Sequence, residues 1–299
     1  MAALSAAFTG NYIPQKWAKK LIMALHPRLF MNYIANTDYE GEIKDSGDVV
    51  KIRQTPAIDV RNYTPRGEIT VDEITAPDVI DLLIDKGKYF AFNADDVEKH
   101  QADVDYVNKA MEEAALRIKE EMEKDFIVGV RTGAAAENMG GTAGKQSGAY
   151  NIGAAGTPLV ITKDNALDFV IDCGSVLDEQ NVPDEDRWMV IPALVYNRIK
   201  KSDINKVYIT GDEKSSLRTG NVGKIDRFNI FVSNQFVADS GKWYPLFGHK
   251  SAITFATQLV KNEVVPREKF FGKVHRGLSV YGYEVVRPEA FGVACVTKG

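Results

Sequence analysis

Residues 103–128, DVDYVNKAMEEAALRIKEEMEKDFIV, decide how the rest of the chain is read. Val104, Val107, Met111, Ala114, Ile118, Met122 and Phe126 recur every three or four positions, which places them on one stripe of an α-helix. Glu113–Arg117 and Glu120–Lys124 put an acid one turn ahead of a base on the wet side. At 1.5 Å per residue the helix spans roughly 39 Å. A stripe this narrow suits packing along a sheet or service as a strut. A coiled coil fits less well, because the pattern lasts too few heptads and lacks Leu, Ile and Val dominance.

Ahead of the helix, two segments contrast in charge. Residues 1–37 contain Lys16, Lys19, Lys20 and Arg28 and no acid. Trp17, Leu21, Ile22 and Leu25 follow helical spacing there until Pro27 interrupts it, so the segment must bury its apolar face against something else. From Asp38 to Lys86 the acids outnumber the bases, with Glu40, Glu42, Asp45, Asp72, Glu73, Asp78 and Asp81 among them. Residues 48–84 alternate as β-structure: Val50 and Ile52 share one face, Val49, Lys51 and Arg53 the other, and Ile58, Val60, Ile69 and Val71 continue beyond Pro56 and around Thr64-Pro65-Arg66-Gly67. A charged, two-sided ribbon is marginal alone in water. It needs support from outside itself, and that need points to an assembly. A basic arm beside an acidic ribbon suits contacts between copies, with Lys16, Lys19, Lys20, Arg28, Asp59, Arg61, Arg66, Asp72 and Glu73 as the contact candidates. Charge alone favours the plainer reading, two solvated faces of one monomer.

Beyond the helix, residues 132–157 (TGAAAENMGGTAGKQSGAYNIGAAGT) have little to bury and read as a mobile loop. Thr162 is the expected cap of a helix carrying Leu167, Val170, Cys173 and Leu177. RWMVIPA (187–193) reads as a buried strand and ALVYNRIKKS (193–202) as a short helix. KIDRFNIFVSNQF (224–236) and WYPLFG (243–248) read as strands, SAITFATQL (251–259) as a helix, and the last 40 residues as strands with tight turns. The order is α+β, without the regular βαβ alternation of a nucleotide-binding fold.

Composition narrows the function. The chain has 299 residues, 44% hydrophobic and 26% charged, with net charge −4, which does not suit a nucleic-acid binder basic over its whole surface. No run of 18 apolar residues marks a membrane helix, and the first residues lack the basic-then-apolar order of a signal peptide. Cys173 and Cys295 lie far apart and read as reduced core thiols of a protein made in a cytoplasm. Gly144-Lys145-Gln146 resembles the end of a phosphate loop, but Met139 stands where its first glycine belongs and Gln146 where a magnesium-binding Ser or Thr belongs. His26, His100, His249 and His275 lack metal-site spacing, and no G-x-S-x-G elbow presents a serine. No catalytic, metal or cofactor residue is expected.

The C-terminal half resembles the tailed-bacteriophage major capsid protein family. PDEDRWMVIP (183–192) is similar to its pattern at Pro183, Arg187 and Pro192, and GNVGKIDRFNIFVSNQF (220–236) at Gly220, Gly223, Phe228, Val232, Ser233 and Asn234. FGHKSAITFATQ (247–258) looks like the family's short strand and helix, and GYEVVRPEAF (282–291) like its closing strand at Arg287, Pro288, Ala290 and Phe291. The resemblance implies the capsid fold shared with encapsulins: an N-terminal arm (1–37), an extended β-ribbon loop with its flanks (38–88), a peripheral domain with a spine helix (89–160), and an axial domain (161–299) from which strands near 259–285 return to the peripheral sheet. It implies a major head protein, not an enzyme, that self-assembles into pentamers and hexamers of an icosahedral shell around double-stranded DNA. Copies of itself, a portal protein, a decoration protein where one exists, and DNA bound non-specifically are the implied partners, with no membrane. Some family members carry a cleaved N-terminal scaffolding segment; this chain begins almost at the arm, so a separate scaffolding protein is expected. The implied location is the virion, after assembly in the host cytoplasm. An encapsulin-like nanocompartment shell and, from another class, a soluble enzyme without a recognisable motif are the alternatives.

Overall fold

The computed structural model describes residues 26–27, 29–38, 49–53, 58, 60–63, 65, 71, 79–95, 106–202, 223–236, 239–267 and 271–299. A short helix α1 (Met31–Ile34) precedes the long helix α2 (Tyr106–Gly129), whose buried side chains are Val107, Met122, Glu123, Phe126 and Ile127. Val104 lies outside the described residues, and Met111, Ala114 and Ile118 are only half-buried. The expected stripe is therefore sealed at Val107 and at its C-terminal end and looser between them. A cavity of about 390 Å³ opens beside Ile118 and Met122 of α2, lined also by residues of the underlying sheet. The acid–base pairs differ in part from expectation. Arg117 Nε donates to Glu113 over 2.9 Å, but Lys124 pairs with Glu121, three residues away, because Glu120 is engaged elsewhere.

Below α2 lies a three-stranded antiparallel sheet in the order β10 (Ile253–Pro266), β11 (Lys273–Val285), β3 (Lys86–Ala94). The segment expected as a helix, SAITFATQL, instead opens β10. An apolar run this short has no decisive period, and β-branched Ile253, Thr254 and Thr257 favour the pleat once β11 supplies a partner strand. Phe126 meets Phe255 and Tyr283 edge-on, at centroid distances of 6.4 and 5.4 Å. Asp125 adds a polar fastener, accepting from the Tyr281 hydroxyl at 2.9 Å and, through its backbone carbonyl, from Tyr283 at 3.1 Å. Burial first, and Asp125 second, push the Tyr281 hydroxyl's pKa upward.

The ribbon enters and leaves on β1 (Val49–Arg53) and β2 (Val79–Leu83), paired antiparallel with Ile52 opposite Ile80 and Lys51 opposite Asp81. The expected alternation is present in these two strands, where Ile52 and Leu82 are buried and Val49, Lys51 and Arg53 face solvent, but Ile58, Val60 and Val71 lie in no strand and Ile69 is outside the described residues. The root is not unsupported, however. Ile52, Leu82 and Ile84 pack with Ala256 and Val286 of the same chain, so its own sheet holds it. Gly282 allows the close crossing, since a Cβ there would lie 2.0 Å from the Leu83 carbonyl oxygen.

The remaining part centres on a five-stranded sheet in the order β12 (Phe291–Val293), β9 (Leu246–His249), β5 (Arg187–Pro192), β7 (Phe228–Ser233), β6 (Lys224–Ile225). Central β5 is buried at every position, as its continuous apolar run predicts, and runs parallel to β7. Helices α3 (Ala166–Glu179) and α4 (Ala193–Lys201) pack on it through Phe169, Val170, Cys173, Val195 and Ile199. Asn165, not Thr162, immediately precedes α3; its carboxamide accepts from the Thr162 N–H at 2.8 Å. A small sheet of β4 (Leu159–Ile161), β13 (Val296–Lys298) and β8 (Lys242–Trp243) closes this part. Both cysteines are buried free thiols, and burial raises the pKa of Cys173 well above its ordinary value.

The loop over 132–157 is packed, contrary to the expectation of mobility. Ala143 and Ile152 lie in the core, and the buried Asn138 carboxamide donates to the carbonyls of Glu289 and Phe291 at 2.7 and 2.9 Å. Gly153, at φ 82°, lets the backbone approach β13: a Cβ would fall 2.0 Å from the Cys295 carbonyl oxygen. Small side chains here permit close backbone packing instead of leaving nothing to bury.

Candidate functional site

For a chain without catalytic motifs, the candidate site is the surface through which it meets other molecules. The first such region is the root of the N-terminal segment. His26 Nδ1 lies 2.6 Å from Glu120 Oε1, and Nε2 lies 2.8 Å from Glu113 Oε2, so one ring bridges two turns of α2. One turn further, buried Glu123 accepts the N–H groups of Phe30 and Met31 at 2.6 and 2.9 Å. Burial raises its pKa, partly opposed by those two bonds. Phe30 and Ile34 then enter the core, and Asn36 bridges to Thr254 on the edge of β10. These contacts were not foreseen from sequence. A faint signal existed: positions 113, 120 and 123 share one helical face, which makes an acidic row there.

The second region is the ribbon beyond its root. Ile58, Val60, Tyr63 and Val71 are 75%, 96%, 76% and 84% exposed. Four large apolar side chains this exposed within one short stretch of chain mark a candidate interaction surface. On the outer face of the root, Val49, Val79 and Leu83 are also exposed. Among the contact candidates, Arg61 is exposed in this segment. Lys16, Lys19, Lys20, Arg28, Asp59, Arg66, Asp72 and Glu73 lie outside the described residues.

The residues that carry the family resemblance turn out to be architectural. Arg187 is wholly buried at the start of β5, with Asp178 at 2.8 Å and Asp184 at 3.1 Å, and Nε donates to the Pro183 carbonyl at 2.8 Å. Arg227 reaches the same two carboxylates from outside, at 2.6 and 2.7 Å. Burial acts to raise the Asp178 pKa, but the two arginines hold it below the ordinary carboxylate value. Ser233 ends β7 by accepting the Gln235 N–H. The phosphate-loop look-alike has its backbone donors occupied: the N–H groups of Gln146 and Ser147 both point to Glu179 Oε2, at 2.7 and 3.1 Å.

A long helix on an antiparallel sheet, an antiparallel strand pair packed on that sheet, and a second mixed sheet make up an α+β structural protein. The family model described as phage capsid protein matches residues 80–294, and the chain belongs to that family. Its function is that of a phage major capsid protein, and the family is one of structural proteins of the virion. A solved chain of Mycobacterium phage Che8 is 25% identical, with TM-score 0.77 over 96% of this chain and 98% of that one. The capsid of cyanophage P-SCSP1u is 14% identical, with TM-score 0.74 over 96% and 93%. The capsid of an empty GTA particle is 14% identical, with TM-score 0.71 over 98% of each chain. No curated protein matches the chain.

Proposed function

We propose that this capsid protein forms pentamers and hexamers of an icosahedral shell that encloses double-stranded DNA. The observation that carries the reading is the ribbon: its root is fixed by Ile52 and Leu82, while Ile58, Val60, Tyr63 and Val71 project into solvent. A firmly rooted projection with an apolar outer part fits a head-to-tail contact, in which each copy covers the next and the ring closes. Residues 1–37 act as the arm, 38–88 as the extended loop, 89–160 as the peripheral domain and 161–299 as the axial domain, with the strands near 259–285 completing the peripheral sheet. Lys16, Lys19, Lys20, Arg28, Asp59, Arg61, Arg66, Asp72 and Glu73 contribute contacts between copies. A scaffolding protein, a portal and a decoration protein are the further partners of such a shell, which is assembled in the host cytoplasm. Particles purified from infected cells should contain DNA resistant to added nuclease. Particles filled with a protein cargo and free of protected DNA would instead indicate a nanocompartment.

A further inference from the structure

A carboxylate offers only acceptors, and a neutral imidazole has one donor and one lone pair. Both ring nitrogens of His26 face carboxylates, Glu120 at 2.6 Å and Glu113 at 2.8 Å. A neutral ring would therefore aim its lone pair at an anion, and only the imidazolium satisfies both partners. We propose that His26 is a proton-dependent clasp: charged, it fastens the chain entering α1 to the long helix; neutral, it lets that entry go.

Among the described residues, the charged groups facing His26 are Glu113 and Glu120, both from α2. Arg117 holds the other oxygen of Glu113, and Glu123 is engaged by the Phe30 and Met31 N–H groups. The bonds to Glu113 and then Glu120 raise the His26 pKa against a smaller effect of burial. The bond from His26 is also the largest cause lowering the Glu113 pKa. Because the folded His26 value is raised, its contribution is complete below the unfolded value and disappears as pH rises through the folded one. Glu113 behaves oppositely: its contribution is present above its unfolded value and is lost as pH falls through the depressed folded one. The clasp is closed between these limits. The geometry makes it more than a surface ion pair, since it fixes the chain just before Phe30 and Ile34 enter the core.

Hydrogen exchange of the peptide covering residues 27–35, read by mass spectrometry across a pH series, tests the proposal on the full-length protein. After correction for the intrinsic base-catalysed rate, wild-type exchange should accelerate by roughly tenfold as His26 loses its proton. His26→Arg keeps the cation and should show slow exchange with no such step. Glu113→Gln combined with Glu120→Gln should exchange fast throughout, also without the step. A wild-type profile that follows the intrinsic rate, or a step that survives in either variant, would overturn the proposal.

Discussion

Arg187, wholly buried at the head of β5, lies 2.8 Å from the Asp178 carboxylate at the end of α3. Its guanidinium also donates to the carbonyls of Val182 and Pro183, so one side chain ties the α3–β5 turn to the central strand. Removing it strands those two carbonyls and leaves Asp178 and Asp184 to Arg227 alone. Arg187→Ala should cost about 3 to 5 kcal/mol and lower the melting temperature of the unassembled subunit by several degrees. Arg227→Ala, at a partly exposed guanidinium, should cost no more than about 1 kcal/mol.

Ribbon root and outer part should respond differently. Ile52→Asp places a charge in the cluster with Leu82 and Val286, and should destabilise the subunit by several kcal/mol. Deleting residues 59–66 should leave the melting curve nearly unchanged while abolishing shells or leaving them fragile. Parallel melting and electron microscopy separate these effects; loss of the fold on deletion would make the ribbon an internal sheet.

Along α2, burial sets the order of damage. Phe126→Ala should cost about 3 to 5 kcal/mol, because Phe255 and Tyr283 close on the ring and cannot fill the gap fully. Ile118 borders the cavity under the helix and is half-buried. Ile118→Asp should therefore be milder than a charge at Phe126, and denaturant titration of the two should rank them so. Equal losses would show that the cavity does not buffer position 118.

Acid should weaken the subunit in a traceable way. Glu179 is held below the ordinary glutamate value, first by the Ser147 hydroxyl and then by the Ser147 and Gln146 N–H groups. Its contribution is present above the unfolded value and is lost as pH falls through the depressed folded one. Glu179→Gln should lower the melting temperature at neutral pH and narrow its difference from wild type in acid. A constant difference would remove Glu179 from the acid response.

Charge on the arm should act on assembly alone. Lys16→Glu, Lys19→Glu and Lys20→Glu together should leave subunit melting within about 0.5 kcal/mol of wild type but sharply slow shell formation. Light scattering at low and moderate salt measures this, since screening over a Debye length of roughly 8 Å weakens either anionic partner, a neighbour's ribbon or the shell's contents. Wild-type assembly rates would return the cluster to ordinary surface lysines.

What could be read from sequence was local and periodic. The α2 stripe, the apolar β5 run after Arg187 and the alternation of β1 and β2 each carry their period in consecutive residues. SAITFATQL misled because its partner, β11, begins only after a further strand's length, and pairing overrode local preference. In the loop at 132–157 the small residues hide a packed core contact: they let Asn138 and Ile152 reach the core. The His26 clasp was illegible for a different reason: its partners stand 87 and 94 residues away, and no pattern links them.

Cryo-electron microscopy of the assembled protein tests the central claim most directly. The account predicts a closed icosahedral shell of pentamers and hexamers, with the ribbon rooted at Ile52 and Leu82 laid across a neighbouring copy and Val60 and Tyr63 covered there. Small discrete oligomers under every assembly condition, or a shell in which Ile58, Val60, Tyr63 and Val71 remain open to solvent, would contradict it.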